Sequence, residues 1–291
     1  MSKPVSIIII AHNNHEPLQR ALKAIDTHAR SIDQKIIILN NPSKQVLEIS
    51  KGLNSNWELV TETKPGPQHA RNAGAKKAQH EYFLFLDDDT ELTAGAIESL
   101  LGKFTDPHIA LAQAYISLEK GNHFFWNYLR YRQINLFKSF QKKTYQSCDT
   151  AGILVKKDWF NAVKGFSEDL RFGEDQYFAI KLLTNKARIV YDFKVPLVQI
   201  YDPTETFGRF LEKVKRSTPY TILLRKKMGQ PNYINFSFPT FKIFNLTKML
   251  FVIIDLFILV YLEVLLGPYR NELAPLQEVR FKKLRGNVDK S

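Results

Sequence analysis

The sequence contains very little cysteine. Cys148 is the single cysteine among 291 residues, so an intramolecular disulfide is excluded, and no CxxC pair indicates a structural zinc site. Histidines at the zinc-binding spacings HxH or HExxH are also absent. A lone thiol is typical of a protein that works in a reducing compartment.

The amino terminus lacks the pattern of a secretion signal. It begins MSKPVSIIIIAHNN, and its apolar run of about five residues is too short for the core of a signal peptide and has no small-residue cleavage site after it. The run is better explained as a buried strand. We therefore expect a cytoplasmic protein, peripheral to or anchored at the inner face of the cell membrane.

Acidic residues are outnumbered by basic ones. The chain has 41 Lys and Arg against 29 Asp and Glu, a net charge of +12, and much of the excess lies beyond position 200. Two interpretations stay open, a solvated basic surface or attraction to an anionic membrane surface. Helix-turn-helix, zinc and RNP patterns are missing, so no nucleic-acid partner is expected.

One long apolar stretch covers residues 246–266, interrupted by Asp255 and Glu263. Its length would allow it to span a bilayer, but two carboxylates are unfavourable at mid-membrane. A spanning helix, a helix lying in the membrane interface and a helix buried against protein remain alternatives. We expect one of the first two, which both place the helix in contact with a membrane.

Short β-rich apolar runs alternate with helical patterns in the first third of the chain. Runs at 5–10, 35–39, 57–61 and 82–86 are typical of strands buried on both faces. Amphipathic or helix-opening segments separate them, which predicts an open α/β domain with ligands at the carboxyl ends of the strands.

The rest of the chain gives a less regular pattern. The aromatic and basic segment 123–146 shows no clear helix or strand pattern, and its stretch 124–145 is compatible with either internal packing or a platform for a sugar or lipid acceptor. The other segments predict helices and strands at 94–104 (helix), 109–118 (strand), 149–157 (strand), 158–166 (helix), 174–186 (helix) and 187–201 (strand or hairpin). We predict one catalytic domain over 1–225 and a hydrophobic, basic extension over 226–291.

Three consecutive carboxylates follow the apolar run at 82–86. Asp87, Asp88 and Asp89 repel one another unless something compensates their charge, and hard divalent cations prefer such oxygen ligands. The alternative, a helix N-cap, needs only one acid.

Two further motifs gain meaning beside the three aspartates. Gly173, Glu174 and Asp175 open a helix, where acids also complement the helix dipole. The segment 64–74 combines glycines with Arg71 at a helix start, where a guanidinium and free N–H groups can meet a phosphate.

In this order the features resemble family 2 glycosyltransferases of the GT-A fold, over roughly residues 4–225. The features are a first strand ending in an Asn turn, a second ending in a polar cluster, the ARNxG helix opening, DDD after the fourth strand and the later GED. The resemblance implies an α/β fold with a Rossmann-like, mixed but mainly parallel sheet flanked by helices, here with a hydrophobic helical C-terminal extension.

The resemblance also implies roles for individual residues. It implies that Mg²⁺ or Mn²⁺ is bound by Asp89, with Asp87, and that Asp175 is the base, with Glu174 supporting the acceptor site. It further implies inversion at the anomeric carbon by direct displacement. The residues that it implies for nucleotide-sugar binding are Ala11, His12, Asn13, Asn41, Arg71, Asp87 and Asp88.

The sequence departs from the family pattern at two places. The second strand ends in Asn40 and Asn41 where paired aspartates are usual, and asparagine can still donate and accept hydrogen bonds. No histidine occurs in 199–203, after the last core strand. Two hypotheses stay open: Asp202 is its substitute, or the metal relies on Asp87, Asp89 and diphosphate oxygens.

These features predict a metal-dependent transferase of the hexosyl or N-acetylhexosaminyl type. It would move a sugar from a nucleotide diphosphate donor to a glycan or lipid-linked acceptor in cell-surface glycan or glycolipid synthesis. A degenerate, membrane-bound scaffold without catalysis is the main alternative. Nucleotidyl transfer is disfavoured because the first turn, AHNNHEP, has no glycine.

Overall fold

The computed structural model describes residues 3–141, 147–228 and 246–269. Within them the strands are β1 (Val5–Ala11), β2 (Gln34–Asn40), β3 (Trp57–Glu62), β4 (Tyr82–Asp87), β5 (Thr90–Glu91), β6 (Ile109–Leu118), β7 (Ile153–Lys156) and β8 (Arg188–Gln199). The helices are α1 (His15–His28), α2 (Lys44–Lys51), α3 (Pro67–Lys77), α4 (Ala96–Leu101), α5 (Phe124–Gln141), α6 (Lys157–Ala162), α7 (Glu174–Thr184), α8 (Phe207–Met228) and α9 (Leu246–Leu266).

The eight strands form one mixed sheet in the order β3-β2-β1-β4-β7-β6-β8-β5. Strand β1 pairs in parallel with β2 and β4, and β2 pairs in parallel with β3. Beyond β4 the sheet becomes mixed, because β7 runs antiparallel to both β4 and β6 while β6 and β8 are parallel. This confirms the predicted α/β class and places the carboxyl ends of β1, β2 and β4 along one edge.

The core forms where the sequence has its apolar runs. Ile7, Ile8 and Ile9 of β1 are all fully buried, as expected for a central strand covered on both faces. Helix α1 buries one face through its helical spacing, with Leu18, Ala21, Leu22 and Ile25 inward. The four predicted early strands and the predicted strand at 109–118 are therefore present, and the segment 187–201 forms a single strand.

The aromatic segment that the sequence left unplaced is helical in its described part, as α5. Phe125, Trp126, Tyr128 and Phe137 of this helix are buried. Its aromatic rings thus serve packing at these positions, and residues 142–146 lie outside the described part.

The chain divides into two compact units. One contains residues 1–122 and 130–202 and includes the whole sheet, and the other contains 123–129 and 203–291. The described part of the second unit consists of the start of α5, α8 and α9. The predicted domain boundary at 225 stays a prediction, and the basic run 280–285 lies outside the described residues.

Helix α9 coincides with the apolar stretch 246–266. In the part of the chain that the structure describes, no helix is both long and apolar enough to cross a membrane.

Candidate active site

The three aspartates lie where the carboxyl ends of the central strands meet. Asp87 is the last residue of β4, and Asp88 and Asp89 form the tight connection to the short strand β5. Because β1 is parallel to β4, Ala11 at the end of β1 lies at the same edge. The sheet thus gathers the DDD motif and the first turn.

Asp88 fixes the turn after β1. Its carboxylate accepts a hydrogen bond from the backbone N–H of His12 at 3.2 Å and from the side-chain amide of Asn14 at 2.8 Å. Burial raises the pKa of Asp88 to about 6, against the opposing effect of these two bonds. Ala11 is buried, whereas His12 and Asn13 are exposed at the edge. Asp88 therefore holds the turn in place from a buried position, while the side chains of His12 and Asn13 remain exposed to solvent.

The polar end of β2 organises a second loop. The Asn40 amide donates to the carbonyls of Glu62 and Lys64 at 2.9 and 2.7 Å, and its side-chain oxygen accepts from the Gly66 N–H at 3.0 Å. Asn41 follows with a left-handed backbone, φ 48°, and an exposed side chain. Asparagine at position 40 thus supplies both a donor and an acceptor, which an aspartate could not do in its ionised form.

Arg71 joins two of the predicted motifs. Its guanidinium donates to Asp87 at 2.8 Å and to Glu174 at 2.7 Å, and it lies 5.8 Å from the centroid of the Phe166 ring. The residue is only 4% exposed, and its Nε has no hydrogen-bond partner among the described residues. The ARN and GED motifs and the first aspartate of DDD are therefore one buried ion-pair network.

Helix α3 can hold Arg71 in this place because it approaches the sheet closely. A Cβ added at Gly74 would lie 2.4 Å from Cγ2 of Ile8 on β1. Only glycine fits between the helix and the strand without moving one of them.

Asp89 contacts a residue that the sequence analysis did not single out. Gln199, the last residue of β8, donates through Nε2 to the Asp89 carboxylate at 3.1 Å, and the Ile200 N–H donates to the Asp89 carbonyl at 2.8 Å. Burial, and then the charge of Asp87, raise the pKa of Asp89 to about 7. Asp202, our sequence-based hypothesis for the missing histidine, lies three residues beyond Gln199, and its role stays a prediction.

The pair Glu174 and Asp175 begins α7 directly after Gly173. Gly173 has φ 76°, in the left-handed region that glycine adopts without strain, and so turns the chain into the helix. Glu174 is engaged by Arg71, while Asp175 accepts from the N–H of Gln176 at 2.7 Å. Burial raises the pKa of Asp175 well above its ordinary value, and the carboxylates of Glu174 and Asp149 add to this effect.

Asp149 is a further acid of this cluster that sequence reasoning missed. Its N–H donates to Gln113 at 2.7 Å, and its carboxylate caps a short 3-10 turn by accepting from the Ala151 N–H at 3.1 Å. Burial, and then the charge of Asp87, raise its pKa. Its neighbour Cys148 is buried and donates to the Asp175 carbonyl at 3.2 Å. Position 149 opens the segment 149–157, whose pattern predicts a strand and does not mark Asp149 as part of an acid cluster.

The carboxylates suit a divalent cation that brings some of its own ligands. Among the described residues no group of three or more His, Cys, Asp or Glu could hold a metal ion by itself. Mg²⁺ and Mn²⁺ commonly take one or two carboxylates together with phosphate oxygens and water. A cation would also offset the repulsion that raises the pKa of Asp89. Asp87 and Asp89 therefore have the chemistry to hold the divalent cation that the family resemblance implies.

Comparison with known proteins assigns the family. The family model described as Glycosyl transferase family 2 matches residues 6–160, more than half of the chain, and the chain belongs to this family.

Two curated relatives are similar over much of this chain. The pre-mycofactocin glycosyltransferase of Mycobacterium tuberculosis is 26% identical over 202 residues, 65% of this chain and 41% of the relative. The GalNAc(5)-diNAcBac-PP-undecaprenol beta-1,3-glucosyltransferase of Campylobacter jejuni is 27% identical over 188 residues, 60% of this chain and 56% of the relative. The chain thus matches less than two thirds of the length of either.

A solved structure supports the fold over nearly the whole chain. The mannosyltransferase PcManGT from Pyrobaculum calidifontis, in complex with GDP-Man and Mn²⁺, matches with a TM-score of 0.62, covering 97% of this chain and 80% of that chain. At 14% identity this likeness establishes the GT-A fold alone.

Proposed function

We propose that this protein is an inverting glycosyltransferase that uses a nucleotide diphosphate sugar. The observation that carries the proposal is the Arg71 bridge, which joins Asp87 at the end of β4 to Glu174 at the start of α7. Residues separated by up to 103 positions thereby meet at the carboxyl edge of the sheet, where open α/β folds bind ligands. Family membership makes sugar transfer the reaction that best fits this edge.

The exposed ends of β1 and β2 are the proposed nucleotide side of the site. His12, Asn13 and Asn41 present polar groups there, on turns fixed by Asp88 and Asn40. Since PcManGT was solved with GDP-Man, a nucleotide diphosphate sugar is the proposed donor class for this chain. Asn40 and Asn41 make base selectivity the property in which this chain would differ from members with paired aspartates.

Asp89 and Asp87 are the proposed ligands of Mg²⁺ or Mn²⁺. When bound there, the cation would neutralise charge on the departing diphosphate. Gln199 is proposed to orient the Asp89 carboxylate, since its amide donates to one oxygen at 3.1 Å, while among the described residues the other oxygen has only a long contact of 3.4 Å with the Thr90 hydroxyl. Asp87 has one oxygen on Arg71 and is about one third exposed, so it can still reach a ligand.

Asp175 is the proposed general base. It would take the proton of the acceptor hydroxyl while the acceptor oxygen forms its bond to the anomeric carbon and the bond to the diphosphate oxygen breaks. Attack from the face opposite the leaving group inverts that carbon. A carboxylate whose pKa is raised accepts a proton more readily than an ordinary one. Glu174, held by Arg71, is proposed to fix the start of α7 beside the acceptor.

The proposed acceptor is a hydroxyl of a cell-surface glycan or of a lipid-linked sugar. The Campylobacter jejuni relative has a name that specifies an undecaprenol-linked substrate, which supports this class. We include in the proposal that the transferred sugar is of the hexosyl or N-acetylhexosaminyl type and that transfer depends on Mg²⁺ or Mn²⁺. A cytoplasmic location at the inner membrane face agrees with such an acceptor.

Release of nucleoside diphosphate from a panel of nucleotide sugars, with and without Mn²⁺, tests the assignment of Asp175 as the general base. Asp175→Asn should keep donor binding and lose at least about 100-fold in turnover, since general-base catalysis typically contributes that much. Asp158→Asn, an exposed acid on α6, is the matched control and should turn over normally. Full turnover in Asp175→Asn would overturn the assignment, and absence of turnover in the unmodified protein with every donor would favour a scaffold.

A further inference from the structure

We propose that the outward face of α9 docks onto an anionic lipid bilayer. This face is a continuous stripe of large apolar side chains that are exposed to solvent, from 41% for Leu250 to 68% for Val264. Its members follow the helical spacing of three or four residues: Leu250, Ile253, Leu256, Phe257, Val260 and Val264.

The carboxylate in the middle of α9 points away from this stripe. Asp255 is 7% exposed and accepts a hydrogen bond from the hydroxyl of the fully buried Tyr128 at 2.6 Å. Phe251 and Ile258 share its face, and the Phe251 ring packs against Tyr128 at 5.5 Å. Of the two carboxylates that speak against membrane contact in the sequence, Asp255 is therefore satisfied inside the second unit.

A face of this kind is unfavourable in water. Apolar area contributes roughly 25 cal/mol per Å² when it is removed from solvent. Contiguous apolar patches of this sort on soluble proteins usually mark a site of interaction. A helix with one face packed on protein and a stripe of exposed apolar side chains on the other is suited to lie in a membrane interface.

Charge identifies the occupant as an anionic surface. Residues 203–291 contain 15 Lys and Arg against 7 Asp and Glu. Helix α8, tied to α9 by the Phe207 and Phe257 rings at 5.7 Å, exposes one acid, Glu212, beside several basic side chains. These are Arg209, Lys213, Lys215, Arg216, Lys226 and Lys227. A second copy of the chain would bring the same positive charge and be repelled, whereas anionic lipid would be attracted.

The inference does not depend on the proposed sugar transfer. It uses only residues of the second unit, so its test separates from the test of the base. A protein that binds vesicles yet fails to turn over donors would retain this proposal and lose the other.

Sedimentation of the full chain with vesicles provides the test. Binding should be strong to phosphatidylcholine containing about one third phosphatidylglycerol, weak to phosphatidylcholine alone, and reduced by high salt. The double variant Lys215→Gln with Arg216→Gln should bind about 30-fold more weakly, since each basic residue near such a surface contributes about 1 kcal/mol. Equal binding to both vesicle types would contradict the role of charge.

Three substitutions on the stripe test the apolar face. Ile253→Asn, Val260→Asn and Val264→Asn together should lower vesicle affinity at least about tenfold. The control makes the same change at three exposed apolar residues of the first unit, Ile32, Leu47 and Leu59, and should bind as the unmodified protein does. Unchanged binding in the stripe variant would overturn the proposal. A dimer in the unmodified protein that becomes a monomer in this variant, with no vesicle binding, would assign the face to a second copy and overturn it too.

A label gives a second measurement that preserves the stripe. Cys148 is the single cysteine of the chain and is buried. In a Cys148→Ser background, a thiol-reactive, environment-sensitive dye would therefore label only the cysteine introduced by Val260→Cys. Its emission should shift to the blue on addition of anionic vesicles, while the same dye on Ile32→Cys should not respond. No shift at position 260 would contradict insertion even if the Asn variant failed to fold.

Discussion

At the scale of single residues, Arg71 connects the parts of the candidate site. It is buried between Asp87 and Glu174, and its pairing opposes the burial that raises the pKa of Glu174. Two carboxylates at this spacing would be unfavourable without it, because buried charge is tolerated only when it is paired. Arg71 therefore links the folding of the domain to the geometry of its acids.

Replacing Arg71 with Met should lower the free energy of unfolding by about 3 kcal/mol or more near neutral pH, because the buried Glu174 and the partly exposed Asp87 both lose their partner. The loss should shrink as the pH falls, because Glu174, whose pKa is raised by burial, then becomes protonated and no longer needs a cation. Denaturant unfolding at several pH values measures both effects. Arg188→Met, which removes an exposed pair with Asp106, should cost less than about 1 kcal/mol. Similar losses in the two variants would refute the role given to Arg71.

Asp89 also makes the stability of the fold depend on pH, but here stability is lost as the pH rises. Its pKa is raised from an ordinary 3.8 to about 7, so the folded protein binds a proton there that the unfolded chain releases. The stability that this proton brings is complete below the ordinary pKa and is lost as the pH rises through about 7. A bound cation would replace the proton. Ionised Asp89 therefore destabilises the folded protein at high pH unless a bound cation compensates its charge.

At the scale of elements, the sequence predicts best what depends on local pattern. Strands β1, β2 and β4 were predictable because each is a short apolar run that is buried on both faces. Strand β3 was predictable from its β-rich composition, but the expected burial on both faces was wrong, because β3 lies at the edge of the sheet and buries only Trp57. Helix α5 was not, because its buried aromatics are interspersed with polar and basic residues and give no clear period. Helices α2 and α8 were missed as well.

Long-range contacts could not be derived from the sequence. Gln199 meets Asp89 because β8 pairs antiparallel with the two-residue strand β5, which joins positions 110 residues apart. Asp149 likewise enters the acid cluster through the pairing of β7 with β4. The three motifs could be recognised by their order, whereas the Arg71 bridge between them required the fold.

Helix α3 offers a prediction at this scale. Gly74→Ala should destabilise the protein by about 1–3 kcal/mol, since the new methyl group overlaps Ile8 and the gain in helix propensity is smaller. Accommodating this methyl group would displace α3 and, with it, Arg71. Affinity for the nucleotide-sugar donor should therefore fall as well. Gly52→Ala, where the nearest atom is 3.5 Å away and φ is −82°, is the control and should be close to neutral. A Gly74→Ala protein as stable as the original would refute the close packing of α3 on β1.

At the scale of the whole molecule, two compact units carry different proposals. The unit with the sheet contains every residue proposed for donor, cation and base, from Ala11 to Gln199. The second unit contains the apolar stripe of α9 and the basic surface of α8. Sequence analysis predicted a site and an extension, and membrane contact remains a proposal now assigned to one face of one helix.

The central claim is that the carboxyl edge of the sheet binds a nucleotide diphosphate together with a cation. Calorimetric titration of the purified chain with nucleoside diphosphates, with Mn²⁺ and again with chelator, tests it most directly. We predict metal-dependent binding of one nucleotide class, tighter at about pH 8 than at about pH 6 because Asp89 must first lose its proton, and lost in Asp89→Ala. Binding that is unchanged by chelator and by Asp89→Ala, or no binding of any nucleotide, would contradict the account.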